Sequence, residues 1–151
     1  MIKSQLDIDL KTALLSKDTQ TTMVLRALKS AVLYAEVAAK KRETGLSEDE
    51  IIAVLHKESK KRQESADLYV QAASSDRAEL ELQEKAIIDK YLPAQLGEAE
   101  ITAIVERTIA SFENPTMQVM GQIIGAVKQK AGATADGGLI AKIVKERLLK
   151  A

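Results

Sequence analysis

Cysteine is absent from the 151-residue chain, which removes disulfides, thiol catalysis and thiolate metal sites together. Histidine occurs once, at His56, so a nucleophile with an oriented imidazole base would need unusual members. Aromatics number four, Tyr34, Tyr69, Tyr91 and Phe112. None is interleaved with a basic run, so any nucleic-acid binding would read backbone and shape rather than stack on bases. Two prolines and seven glycines leave little punctuation, and long uninterrupted elements are expected. Charge of one sign is lacking too: 22 basic residues face 22 acidic ones. There is then no global pull on polyanions or on a membrane, and such binding must come from a local patch. No apolar run approaches the ~18 residues that span a bilayer. The N-terminus, MIKSQLDIDLKTALL, alternates charged with apolar residues, unlike a secretory signal, and the expected compartment is the cytoplasm.

What remains is helix composition, dominated by Ala, Leu, Ile, Glu and Lys, with 46% hydrophobic and 29% charged residues. Six helical segments follow one another, and a last one closes the chain. The first is roughly 3 to 15. The second repeats Leu25, Leu28, Val32, Ala35 and Ala39 at helical spacing and stops at Gly45. Ser47 with Glu50 forms S-x-x-E, a capping box that starts a third helix over about 48 to 73. Ser74-Ser75-Asp76 resets the pattern, and a fourth helix runs to Tyr91, where Pro93 forbids simple continuation. A fifth helix covers EAEITAIVERTIASFE, and Asn114-Pro115 is a turn. A sixth helix runs from near Met117 to near Gly132, and the last covers LIAKIVKERLLK. The reading is all-α, with an N-terminal helical hairpin or bundle over 1–92 and a small three-helix tail domain over 97–151.

The stretch MGQIIGAVKQKAGATADGG, residues 120–138, raises the question of a phosphate cradle. It has no preceding strand, no Gly-Lys-Ser/Thr and no G-x-G-x-x-G. Gly132 reads as a helix C-cap. Asp136 reads as the N-cap of the last helix, with Gly137 and Gly138 following. A carboxylate there complements the helix end and would repel an incoming phosphate, so the turn is a joint. Gly121 and Gly125 sit one turn apart on a helix, where each costs about 1 kcal/mol relative to Ala, so a close approach is expected. A neighbouring helix or a nucleic-acid backbone could make it.

Charge concentrates in two places. From Met117 onward, six basic residues (Lys128, Lys130, Lys142, Lys145, Arg147, Lys150) face Asp136 and Glu146, an excess of four. In the third helix, HKESKKR turns Lys57, Lys60 and Lys61 away from the apolar face, either as a solvated surface or as a phosphate-contacting stripe with Arg26 and Lys29 alongside. His56 reads as a solvated surface histidine. Arg62 falls on the face of Ile51, Leu55 and Tyr69, and Glu84 on that of Leu80, Ile87, Ile88 and Tyr91. A hairpin turning near Ser74 would bring them together as an ion pair, because a lone buried charge is costly. No catalytic constellation and no compact acidic cluster for a metal is evident, and no cofactor is expected. Leu33 and Val37 lie off the core face of the second helix and could serve a protein partner.

LRALKSA at 25–31, KKRQES at 60–65, YLPAQLGEAEI at 91–101 and the 120–138 stretch, in this order, resemble the GatB/YqeY tail-domain family across essentially the whole chain. The family form of the last motif is close to M-G-x-x-M-G followed by G-K-A-D-G. Here Ile124 replaces the second methionine, Ala133 a glycine and Thr134 the lysine. The resemblance implies a two-part helical fold and a likeness to the C-terminal region of the GatB component of tRNA-dependent amidotransferase. It implies tRNA or amidotransferase subunits as partners. The implied activity label is glutamine-dependent carbon–nitrogen ligase in complex with such subunits, while the ATP and metal site lies outside the shared region. With the lysine at 134 missing, the expected RNA contacts are Lys128, Lys130, Lys142, Lys145 and Arg147. The function expected is a non-catalytic module binding tRNA or a tRNA-handling complex.

Overall fold

A computed structural model describes residues 1–132 and 135–150. It contains seven α-helices among the described residues: α1 (Ile2–Leu15), α2 (Thr19–Ala38), α3 (Glu48–Gln71), α4 (Ser75–Asp89), α5 (Glu98–Ala110), α6 (Met120–Ala131) and α7 (Gly137–Lys150). A 3-10 turn, Met117–Val119, leads into α6. No strand occurs among the described residues, and the fold is all-α. The chain divides into two compact units, Met1–Pro93 and Ala94–Ala151.

The starts of α2 and α3 follow from side-chain capping. Ser47 accepts from the Glu50 amide at 3.3 Å while the Glu50 carboxylate accepts from the Ser47 amide at 2.8 Å, closing the capping box of α3. Asp18 caps α2 by accepting from the Thr21 amide at 3.1 Å and from the Thr21 hydroxyl at 2.7 Å. Those bonds hold the Asp18 carboxyl below its ordinary value, the hydroxyl contributing most. Lys41, followed by the Ser47 amide, does the same for Glu50.

The ends of α1, α2 and α3 are less ordinary. Each closes on a non-glycine residue in the left-handed region: Lys17 (φ 58°), Lys40 (φ 57°) and Ala73 (φ 56°). Each carries both bonds of a Schellman motif. Asp18 N donates to Ala13 O and Lys17 N to Leu14 O; Lys41 N to Glu36 O and Lys40 N to Val37 O; Ser74 N to Tyr69 O and Ala73 N to Val70 O. The second helix therefore stops at Ala38, seven residues before the glycine expected to end it. Gly45 (φ 77°) serves the connection to α3 instead.

In the first unit, Leu6, Val24, Leu25, Leu28, Val32, Ile51, Leu55 and Ile88 form the core. Of the second helix's periodic residues, Ala39 lies past the helix end and is exposed. α3 is 24 residues long, about 36 Å at 1.5 Å per residue. Its outer turns bury only Ala66, with Ala78 opposite on α4, and Leu80, expected on the apolar face of α4, is 53% exposed. Glu36 is 2% exposed on the core face of α2. Lys3 pairs with its carboxylate at 2.6 Å, which offsets the cost of taking that charge out of water. In the second unit, Ile101, Val105, Ile123, Val127, Ala131, Ile140, Ile143, Val144 and Leu148 interlock between α5, α6 and α7.

Candidate functional site

In the first unit, Arg62 on α3 and Glu84 on α4 face each other across the hairpin, with Nε 2.8 Å from the carboxylate and Glu81 at 3.9 Å. The Nε–H does not line up on an oxygen, so the contact is an ion pair rather than an aligned hydrogen bond. Both side chains are only partly buried, and the pair ties the middle of the hairpin together.

His56 departs from the solvated position expected of it. It is half-buried, with Nε2 closed off from solvent and without a hydrogen-bond partner. The reason is its place on α3: it follows the buried Leu55 and precedes the buried Ser59, which donates to Asp89 at 2.5 Å.

The basic stripe of α3 is split by its surroundings. Lys57 and Lys61 rim a groove of about 550 Å³ between α2 and α3, floored by Ala27, Ala31, Ala35 and Ala38 and flanked by Tyr34. Lys61 is paired with Glu58 at 2.8 Å. Lys60 does not line the groove, and neither Arg26 nor Lys29 does. Lys29 is paired with Asp7 at 2.5 Å.

A second, polar cleft of about 270 Å³ lies between α1 and the end of α4, lined among others by Asp9, Thr12, Asp18, Lys90 and Tyr91. The Tyr91 phenol donates to Asp9. Burial, then this bond, pushes the phenol's ionisation well above its ordinary value.

The second unit carries the tail cations, and its packing sorts them into three positions. Ile140, Ile143, Val144 and Leu148 fix the inner face of α7, which leaves Lys142 and Lys145, one turn apart, on its outer face. Both are exposed, and neither has an acidic partner among the described residues. Arg147 lies on the other side and is paired with Glu106 of α5 at 3.2 Å. On α6, Lys128 and Lys130 leave opposite flanks of the buried row Ile123, Val127, Ala131. Lys128 reaches the start of α7, where its Cε would lie 3.3 Å from a Cβ at Gly137. Lys130 reaches α5 and donates to the Thr108 hydroxyl at 3.2 Å.

Gly132 and Asp136 stand among the described residues on either side of the α6–α7 connection. Gly132 (φ 67°) follows α6, and Asp136 accepts from the Gly138 amide at 2.8 Å at the start of α7. The motif positions Ala133 and Thr134 lie outside the described residues. Gly121 and Gly125, by contrast, are not approached by a neighbouring helix. Both are exposed, and a Cβ at either would meet nothing within 4 Å. The apolar stripe of α6 turns inward, so its glycine side faces open space.

Arg107, which carries no signal of its own in the sequence, shares a cavity with Lys130 in the second unit. A single arginine two residues after a core valine looks like any helix surface. Among the described residues no three His, Asp or Glu side chains cluster to hold a metal ion. No helix among them is long and apolar enough to cross a membrane.

A family model described as Yqey-like protein matches residues 3–148. No curated protein matches the chain.

Proposed function

The chain belongs to the YqeY-like protein family, and on that premise we propose that it is a non-catalytic helical module of the cytoplasm. In this reading it binds tRNA, or a tRNA-handling amidotransferase complex, through its second unit. The observation that carries the reading is the pair Lys142 and Lys145 on the outward face of α7, both exposed and neither held in an ion pair among the described residues, with Glu146 the one acid on that helix. Lys128 adds a third exposed cation on α6. Arg147 contributes less, since an approaching phosphate would have to compete with Glu106. Such a surface contacts phosphates without reading bases, which suits a unit whose aromatic content is Phe112 alone.

Binding of purified total tRNA across a salt series tests it. Three to four phosphate contacts predict a log–log slope of roughly −2 to −4. The variant Lys142→Glu/Lys145→Glu should reduce that slope by about two. No binding at low salt removes RNA as the partner.

A second reading, a protein-interaction adaptor without RNA, is favoured by Leu33, Tyr34 and Val37, which stand exposed on α2 beside the alanine-floored groove. Self-association in light scattering, abolished by Leu33→Glu with the helical signal intact, would favour it. An unchanged mass across concentration eliminates self-association through this surface.

A further inference from the structure

Arg107 in the last turn of α5 and Lys130 in the last turn of α6 line one cavity of about 330 Å³, together with Ile104. No carboxylate lines it among the described residues. The nearest in sequence, Glu106, is taken by Arg147 at 3.2 Å. Two cations on one cavity repel each other, and an anion placed between them would relieve that repulsion.

Each cation is also held in place. The Arg107 Nε donates to the Ala103 carbonyl at 3.3 Å. That bond steadies the guanidinium against its own helix and leaves both terminal NH2 groups uncommitted. Lys130 Nζ donates to Thr108 Oγ1, and Thr108, 0% exposed, is itself fixed by donating to the Ile104 carbonyl at 2.7 Å. The ammonium keeps two further protons for a ligand. Cations near helix C-termini commonly serve the negative end of the helix dipole. Here Arg107 bonds instead to a carbonyl in the body of α5, and Lys130 to a hydroxyl, so neither caps the unsatisfied carbonyls of its own helix.

We propose that this cavity is a binding site for one phosphate group, gripped in a bidentate manner by the Arg107 guanidinium and on a second oxygen by the Lys130 ammonium. A planar fork with two free NH2 groups matches two oxygens of a tetrahedral anion, and the lysine supplies the second charge. Ile104 gives the site one dry wall. The site goes beyond the tRNA reading, which rests on the outer face of α7. The phosphate is either a phosphodiester of a nucleic-acid strand or the phosphoryl group of a small metabolite.

The test uses the full-length, ¹⁵N-labelled chain titrated with inorganic phosphate, with sodium chloride and acetate at matched ionic strength as references. Saturable shifts at the Arg107 Nε–H and at the amides of Thr108 and Lys130, not reproduced by chloride or acetate, are expected. Arg107→Gln and Lys130→Gln should each weaken phosphate binding at least tenfold, while Lys11→Gln, at an exposed position of α1, leaves it unchanged. Both residues are exposed and the glutamines keep most of the stem, so unaltered spectra elsewhere confirm that the variants fold. No saturable shift, equal shifts with chloride or acetate, or unchanged binding in both variants overturns the site. The tRNA arm then separates the sources. A salt slope lowered by about one in Arg107→Gln assigns the site to a strand phosphodiester. Unchanged tRNA binding, or none, alongside lost phosphate binding assigns it to a phosphorylated small molecule.

Discussion

Replacing both Gly121 and Gly125 by alanine should stabilise the second unit, and the size of the gain can be worked out. Neither glycine has a positive φ, so alanine meets no backbone strain at either position. Neither added Cβ would meet an atom within 4 Å, so no steric cost offsets the gain. Gly125 lies in the interior of α6, where the exchange is worth about 1 kcal/mol. Gly121 is the second residue of the helix, and about half that is reasonable there. The sum is about 1.5 kcal/mol, most of it from restricting the unfolded chain. All three tyrosines lie in the first unit, so fluorescence would report on the wrong half of the chain. Hydrogen exchange at the buried Ile123 and Val127 amides reads α6 directly, and about 1.5 kcal/mol slows it roughly tenfold. Faster exchange in the double variant would refute the reasoning, since it would mean that something packs on this face. The same variant in the tRNA assay decides what the glycines are for. Unchanged affinity leaves them without a close partner, and a tenfold loss identifies a backbone that approaches them.

Two further outcomes follow from the first unit. Lys3→Met leaves the Glu36 carboxylate buried without its cation, and should cost about 2 kcal/mol in urea unfolding, below the roughly 3–5 of a fully buried pair because Lys3 is half exposed; a loss under about 0.5 kcal/mol would show that water reaches Glu36. The depressed carboxyls of Asp18 and Glu50 bind protons more readily in the unfolded chain, whose ordinary values are 3.8 and 4.5. Their contribution is present above those values and is lost as the pH falls through the lower folded ones. Asp18→Asn/Glu50→Gln, which keeps an N-cap side chain but removes the titration, should therefore flatten the fall in urea midpoint between about pH 5 and pH 3. An unaltered slope would place the acid sensitivity elsewhere.

Which features were legible depended on whether a residue type has only one good use. The capping box at Ser47 and Glu50 could be read because few other arrangements employ S-x-x-E before an apolar run. The Arg62–Glu84 pairing could be proposed because both charges fall on apolar faces. The same wheel puts Glu36 beneath Val32 on α2, and its burial could have been found in that way. The end of α2 could not. Lysine and alanine carry no left-handed signal, so Lys40 gave no hint of a stop while Gly45, five residues on, gave a misleading one. Leu80 is exposed although helical spacing puts it on the apolar face of α4, and what packs on that end of the helix is tertiary information that no local pattern encodes. The Arg107–Lys130 cavity joins residues 23 apart on separate helices, and only the packing of α5 on α6 brings them together.

The three helix ends that close on Lys17, Lys40 and Ala73 have an evolutionary consequence. A left-handed residue with a Cβ costs about 1 kcal/mol or more relative to glycine, so the first unit holds a reserve of roughly 3 kcal/mol. A glycine at any of the three sites would release part of it without touching the core. Such slack lets a lineage absorb destabilising changes elsewhere, for instance on the α2–α3 groove, and restore the loss at a helix end.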